Sequence, residues 1–184
     1  MPLTITIPAQ DLYDPEANLF IPIKETTINL EHSLVSLSKW EKKWKKPFLS
    51  PTMKDKMTVE MLLDYVRCMT LTQNVDPIVY KGITEANLKE IQAYLEDPMT
   101  ATVITNKRKD PNNNKQFMTS ELIYAYMVIL RIPFECQKWH LNRLLTLIQV
   151  VGIEQEPKKK GSRAEAIKQH QAINKARRAR VPRR

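Results

Sequence analysis

From Leu122 to Leu130 the chain reads LIYAYMVIL, nine consecutive residues without a charge. Thr119 and Glu121 supply a cap and a first-turn acid before this run, and Pro133 lies just beyond it, so the segment predicts a helix. A helix apolar on nearly every side has no face to give to water and must be central to a core or to an interface. The run is also too short, and too interrupted by tyrosines, to cross a bilayer. Whatever the chain folds into must therefore cover this helix.

The residues after it determine how. RIPFECQKWHLNRLLTLIQVV, Arg131 to Val151, carries an apolar stripe of Leu141, Leu144, Leu145, Ile148 and Val151, with Lys138, Asn142 and Gln149 facing away. With Pro133 ending one helix and starting the next, the two form a buried αα-hairpin with a tight turn. Such a hairpin also describes a helix-turn-helix DNA reader. Its first helix is too apolar for a surface element, however, and the architectural reading is preferred.

Elsewhere the pattern is mainly helical. LTITI alternates Leu3, Ile5 and Ile7 with threonines and predicts a strand ended by Pro8, with FIPIKETTINL as a second extended piece. Together they predict a short N-terminal β-ribbon on a helical body. Leu30, Leu34, Leu37, Trp40 and Trp44 follow at helical spacing. Lys42, Lys43, Lys45 and Lys46 crowd the end of that helix, where cations are favoured. Thr58 and Thr84 open two further helices as N-caps, and Asp76-Pro77 opens a short one. MTATVI, Met99 to Ile104, is β-prone, and NKRKDPNNNK after it is a turn cluster, predicting a small hairpin.

Charge separates the chain into two parts. The net charge is +9, yet Pro157 to Arg184 alone holds eleven Lys or Arg against one acid, 11 − 1 = +10, which leaves −1 for the rest. The expected organisation is a helical body over 1–156 and a basic linker and polar helical tail over 157–184, with Ser162 and Glu165 as a capping box. Lys158, Lys159, Lys160, Arg177, Arg178, Arg180, Arg183 and Arg184 carry most of the tail's charge. Two readings of it stay open: a solvated segment serving solubility, or one docking on an acidic protein or non-specifically on nucleic acid. No aromatic residues interleave with its cations to stack on bases.

Cys136 and His140, four apart, suggest a metal pair or a nucleophile with its base. A structural zinc needs four ligands, and Cys68, His32 and His170 are each isolated in sequence. Glu135 beside Cys136 disfavours a thiolate. The chain has three glycines and no phosphate-cradling run of them. The pair is therefore read as packing, the protein as a non-enzyme, and no cofactor or metal is expected. The start of the sequence has no basic stretch followed by an apolar one, which points to a reducing cytoplasm with free thiols.

Three stretches, LEHSLVSLSKWEKKWKKPFLS, MTATVI and MTSELIYAYMVILRIPFECQKWHLNRLLTLI, resemble tail assembly chaperones of tailed bacteriophages over about Leu30 to Val151. The resemblance implies a non-enzymatic helical protein of the host cytoplasm during virion assembly. It would self-associate, bind the tape measure protein, keep its apolar helices soluble and recruit tail tube subunits. The alternative is a virion structural or connector protein that contacts DNA or a neighbouring subunit through the basic tail. For the chaperone reading the partner-binding residues are expected to be Trp40, Trp44 and Phe48 with Lys42 and Lys43, together with Trp139; Tyr124 and Tyr126 are further candidate anchors.

Overall fold

A computed structural model describes residues 1–14, 18–102, 104 and 118–155. The chain divides into two units, Met1–Val151 and Gly152–Arg184. The basic residues of the tail, its expected helix from Ser162, and the whole turn cluster after Ile104 lie outside the described residues.

The expected single ribbon is two antiparallel ribbons. Strands β1 (Leu3–Ile7) and β4 (Thr26–Leu30) pair with Ile5 opposite Ile28, while β2 (Gln10–Asp14) and β3 (Leu19–Ile23) pair with Tyr13 opposite Phe20. In β1 and β4 alternation puts Ile5, Ile7, Ile28 and Leu30 into the core, and Thr4 and Thr6 bond Asn29 and Thr27 on the outer face. Leu30, read from its spacing as helical, is the last residue of β4.

Among the described residues six α-helices follow: α1 (Leu34–Trp44), α2 (Pro51–Lys54), α3 (Val59–Met69), α4 (Glu85–Glu96), α5 (Ser120–Ile129) and α6 (Leu141–Gln155). Short 3-10 helices occupy Pro77–Gly82 and Phe134–Lys138. The described fold is thus mainly helical with N-terminal β-hairpins. Thr58, Thr84 and Thr119 cap α3, α4 and α5 as expected, and Asp76 caps the first 3-10 helix. MTATVI forms no strand among its described residues; Met99 instead takes a left-handed conformation, φ 49°.

Helix α1 stands between two cores. Trp40 faces one, with Ile5, Ile28, Tyr65, Val66, Met69 and Ile91; Leu34 and Leu37 face the other, with Ile123, Met127, Leu141, Leu144 and Ile148. Its C-terminal half also carries a buried carboxylate. Glu41 accepts hydrogen bonds from the backbone N–H of Phe48 (3.0 Å) and of Ser120 (2.7 Å), which fastens the start of α5 to α1. The Ser120 N–H is one of the unpaired donors at a helix N-terminus, where a carboxylate is favoured. Glu41→Ala would leave both donors without acceptors, and we expect it to cost about 3 kcal/mol in urea unfolding.

The αα-hairpin expectation needs correction. Pro133 starts a 3-10 turn and not the second helix. Trp139 is then extended, and His140 pairs with Ser33 in an isolated β-bridge. Leu141 N–H donates to the His32 carbonyl at 2.8 Å, so a long-range contact interrupts what local spacing reads as one helix. Asn142, expected to face away, donates to the Leu95 and Asp97 carbonyls at 2.9 and 2.8 Å and caps the end of α4.

Candidate interaction surface

Cys136 and His140 do not share a helix. Cys136 sits on the 3-10 turn and is buried among Ile132, Leu141 and Leu144, whereas His140 immediately precedes α6. Among the described residues no group of three or more His, Cys, Asp or Glu could hold a metal ion. Cys136→Ala should cost about 1–2 kcal/mol in thermal or urea unfolding, as loss of a small buried group does. Stoichiometric zinc that this substitution releases would contradict the packing role.

His140 belongs to a polar cluster that joins the two cores. Its Nε2–H donates to the Tyr94 carbonyl at 3.0 Å, and its ring lies edge-on to His32 at 5.0 Å. The His32 Nδ1 lies 2.6 Å from the Tyr65 hydroxyl. Burial, and secondarily the neighbouring His140, push His32 down to about 3; burial lowers His140 as well. Both rings are therefore neutral at pH 7. Beside them lies a cleft of about 190 Å³ lined by Glu31, Tyr94, Lys138, Trp139 and Arg143 among others. The Arg143 guanidinium stacks 4.2 Å from the centre of the Trp139 ring. Trp139, an expected anchor, is thus half-buried and occupied by its own chain.

The expected anchors on and just after α1 also turn inward. Trp40 is completely buried and donates from Nε1 to the Met61 carbonyl at 2.9 Å. Phe48 stacks on Tyr65 at 4.1 Å and meets Trp40 edge-on at 5.0 Å. Trp44 is half-buried, its Nε1 donating to Asp64 at 2.8 Å, and Lys43 forms an ion pair with the same carboxylate. Trp40 is consequently corrected from partner anchor to core residue. The lysines crowd the end of α1 without exposing its aromatic side, because that side is laid against α3. Lys42 is exposed.

The surface that is left open lies on α5. Only Ser120, Ile123 and Met127 of this helix are buried. Tyr126, Val128 and Ile129 are 41%, 61% and 68% exposed, and Phe134 just beyond is 53% exposed. Helical spacing places Ile129 beside Tyr126, the exposed Ala125 beside both Val128 and Ile129, and Tyr124 one turn from Val128. The Tyr124 ring in turn lies 6.4 Å from that of Phe134. Arg131, in the left-handed region at φ 55°, terminates the helix, and Ile132 N–H reaches back to the Met127 carbonyl at 2.8 Å. The helix is therefore fixed at both ends, with an apolar face that the other described residues leave uncovered, the kind of patch that marks an interaction site. A second exposed aromatic pair, Tyr13 and Phe20, stands on the β2–β3 ribbon with ring centres 5.3 Å apart.

No helix among the described residues is long and apolar enough to cross a membrane. No protein-family model, curated protein or solved structure matches the chain.

Proposed function

We propose that the protein is a non-enzymatic tail assembly chaperone of the tailed-bacteriophage kind, which holds apolar helical segments of the tape measure protein against the outward face of α5. The observation that carries this reading is the uncovered apolar face of Tyr126, Val128 and Ile129 beside Phe134. An amphipathic client helix lays its own apolar stripe on such a face and removes both from water. The support α5 receives from Glu41 and from its two caps keeps the surface in place without a client.

A labelled tape measure peptide with apolar residues at helical spacing tests it. Wild type should bind the peptide with little salt dependence. Ile129→Arg should weaken binding at least tenfold while leaving the melting temperature within a few degrees, since the side chain is mostly exposed. A variant that binds as well as wild type would contradict the assignment. The connector alternative, in which the cations after Pro157 contact DNA, makes a different prediction: duplex DNA would be retarded, with steep reversal by salt.

A further inference from the structure

Two cations stand where a helix ordinarily puts acids. Arg143 lies in the first turn of α6, which holds no acidic residue, and Lys138 ends the 3-10 turn just before it. The amide dipoles already make a helix N-terminus positive, so both cations are disfavoured there until an anion sits in front of them. Arg143 is also held in place by its stacking on Trp139, which uses the face of the guanidinium and not its N–H edge. Among the described residues neither cation has an ion-pair partner.

The cleft of about 190 Å³ that these residues line is lined also by one carboxylate, Glu31, and by His140. Glu31 makes no ion pair among the described residues, so the cleft holds charges of both signs apart. His140 adds an acceptor. Because its Nε2–H donates to the Tyr94 carbonyl, Nδ1 carries the lone pair, and this buried atom has no hydrogen-bond partner among the described residues. A buried acceptor left in that state is destabilising until a donor reaches it. The volume is below the roughly 300 Å³ at which pockets for drug-sized ligands begin, so the occupant is small.

We infer that this cleft binds a small zwitterion, an α-amino acid, with its carboxylate on Arg143 and Lys138 before the N-terminus of α6 and its ammonium on Glu31 and His140 Nδ1. The Trp139 ring and Met99 supply apolar wall for the side chain. A plain anion would satisfy the cations but set a like charge against Glu31, and a plain cation would do the reverse. A ligand with both charges on one carbon leaves none of these groups unpaired. None of them belongs to α5, so the site stands independently of the client reading of that helix.

Isothermal titration of the full chain at pH 7 with leucine and with glycine tests the site. Two analogues accompany them: leucinamide, which lacks the anion, and 4-methylpentanoate, which is leucine without its ammonium. Leucine should bind once per chain and each analogue at least tenfold more weakly, because each leaves charged groups of the cleft unpaired. Arg143→Gln should remove the preference over leucinamide, and Glu31→Gln the preference over 4-methylpentanoate, each leaving the other preference in place. A general loosening of the fold would weaken all ligands together instead. Circular dichroism melts verify folding, and Lys138→Gln, at an exposed position, replaces Arg143→Gln should that variant melt early. Failure of both leucine and glycine to bind, analogues that bind as well as leucine, or variants that keep both preferences would each overturn the assignment.

Discussion

Truncating Trp40 to alanine is expected to cost about 4 kcal/mol and to lower the melting temperature by roughly 10 °C, whereas Trp44→Ala costs about half as much or less. The two residues are one turn apart on α1 and alike in sequence context, but their surroundings differ. Trp40 has no solvent exposure, packs on Tyr65 and Phe48, and supplies the donor for the Met61 carbonyl. Its loss creates a cavity between α1, α3 and the β1–β4 ribbon and removes the indole hydrogen bond to the Met61 carbonyl. Trp44 lies over the end of the same cluster, partly in water, with Lys43 still available to Asp64 after its removal. Urea melts of both variants check the ordering. A Trp40→Ala protein as stable as wild type would contradict its place in the core, and equal losses would contradict the difference between the two sites.

Acid should destabilise the fold through His32. The imidazole is neutral and depressed to about 3 in the folded protein, from 6.5 in an open chain, with burial as the main cause and His140 as the second. Between these values the unfolded chain binds a proton that the folded one refuses, so stability is fully present above about pH 6.5 and falls as pH drops towards 3. The slope is about 1.4 kcal/mol per pH unit, or roughly 3 kcal/mol between pH 7 and pH 4 from this one residue. The groups facing it are His140, Tyr65 and Tyr94, none of which offers a carboxylate to a protonated ring. Urea unfolding across that pH range should show the decline, and His32→Asn should start lower at pH 7 but fall less steeply. A variant with the wild-type slope would show that other groups carry the acid sensitivity.

The sequence made the local decisions legible. Thr58, Thr84, Thr119 and Asp76 precede the helices they cap, because an N-cap acts through atoms within three residues of itself. Alternation in LTITI announced β1 for the same reason. Decisions made by distant partners were not visible. Leu30 fits both the strand face of β4 and the helical spacing of Leu34 and Leu37, and only the pairing of Leu3 with Leu30 selects the first. The polar stretch QDLYD shows weak strand character, yet β2 forms because β3 pairs with it. No Gly or Pro marks the break at His140; Ser33 and the His32 carbonyl make it from more than a hundred residues away.

The candidate surface was legible in part. LIYAYMVIL required a cover, but a helix apolar all round does not reveal which side its own fold will take. The fold takes Ile123 and Met127 and leaves Val128 and Ile129 in water. Trp40 misled because an aromatic residue beside lysines suits an interface as well as it suits the edge of a core. What decides between them is the position of α3, which spacing along α1 does not encode.

The most direct measurement of the central assignment is site-specific photocrosslinking. A photoreactive side chain in place of Val128, on the open face of α5, should crosslink efficiently to a helical tape measure peptide. The same group in place of Gln92, exposed on α4, should not. Crosslinking at Val128 alone is the result the account predicts; equal crosslinking at both positions, or at Gln92 alone, would contradict it.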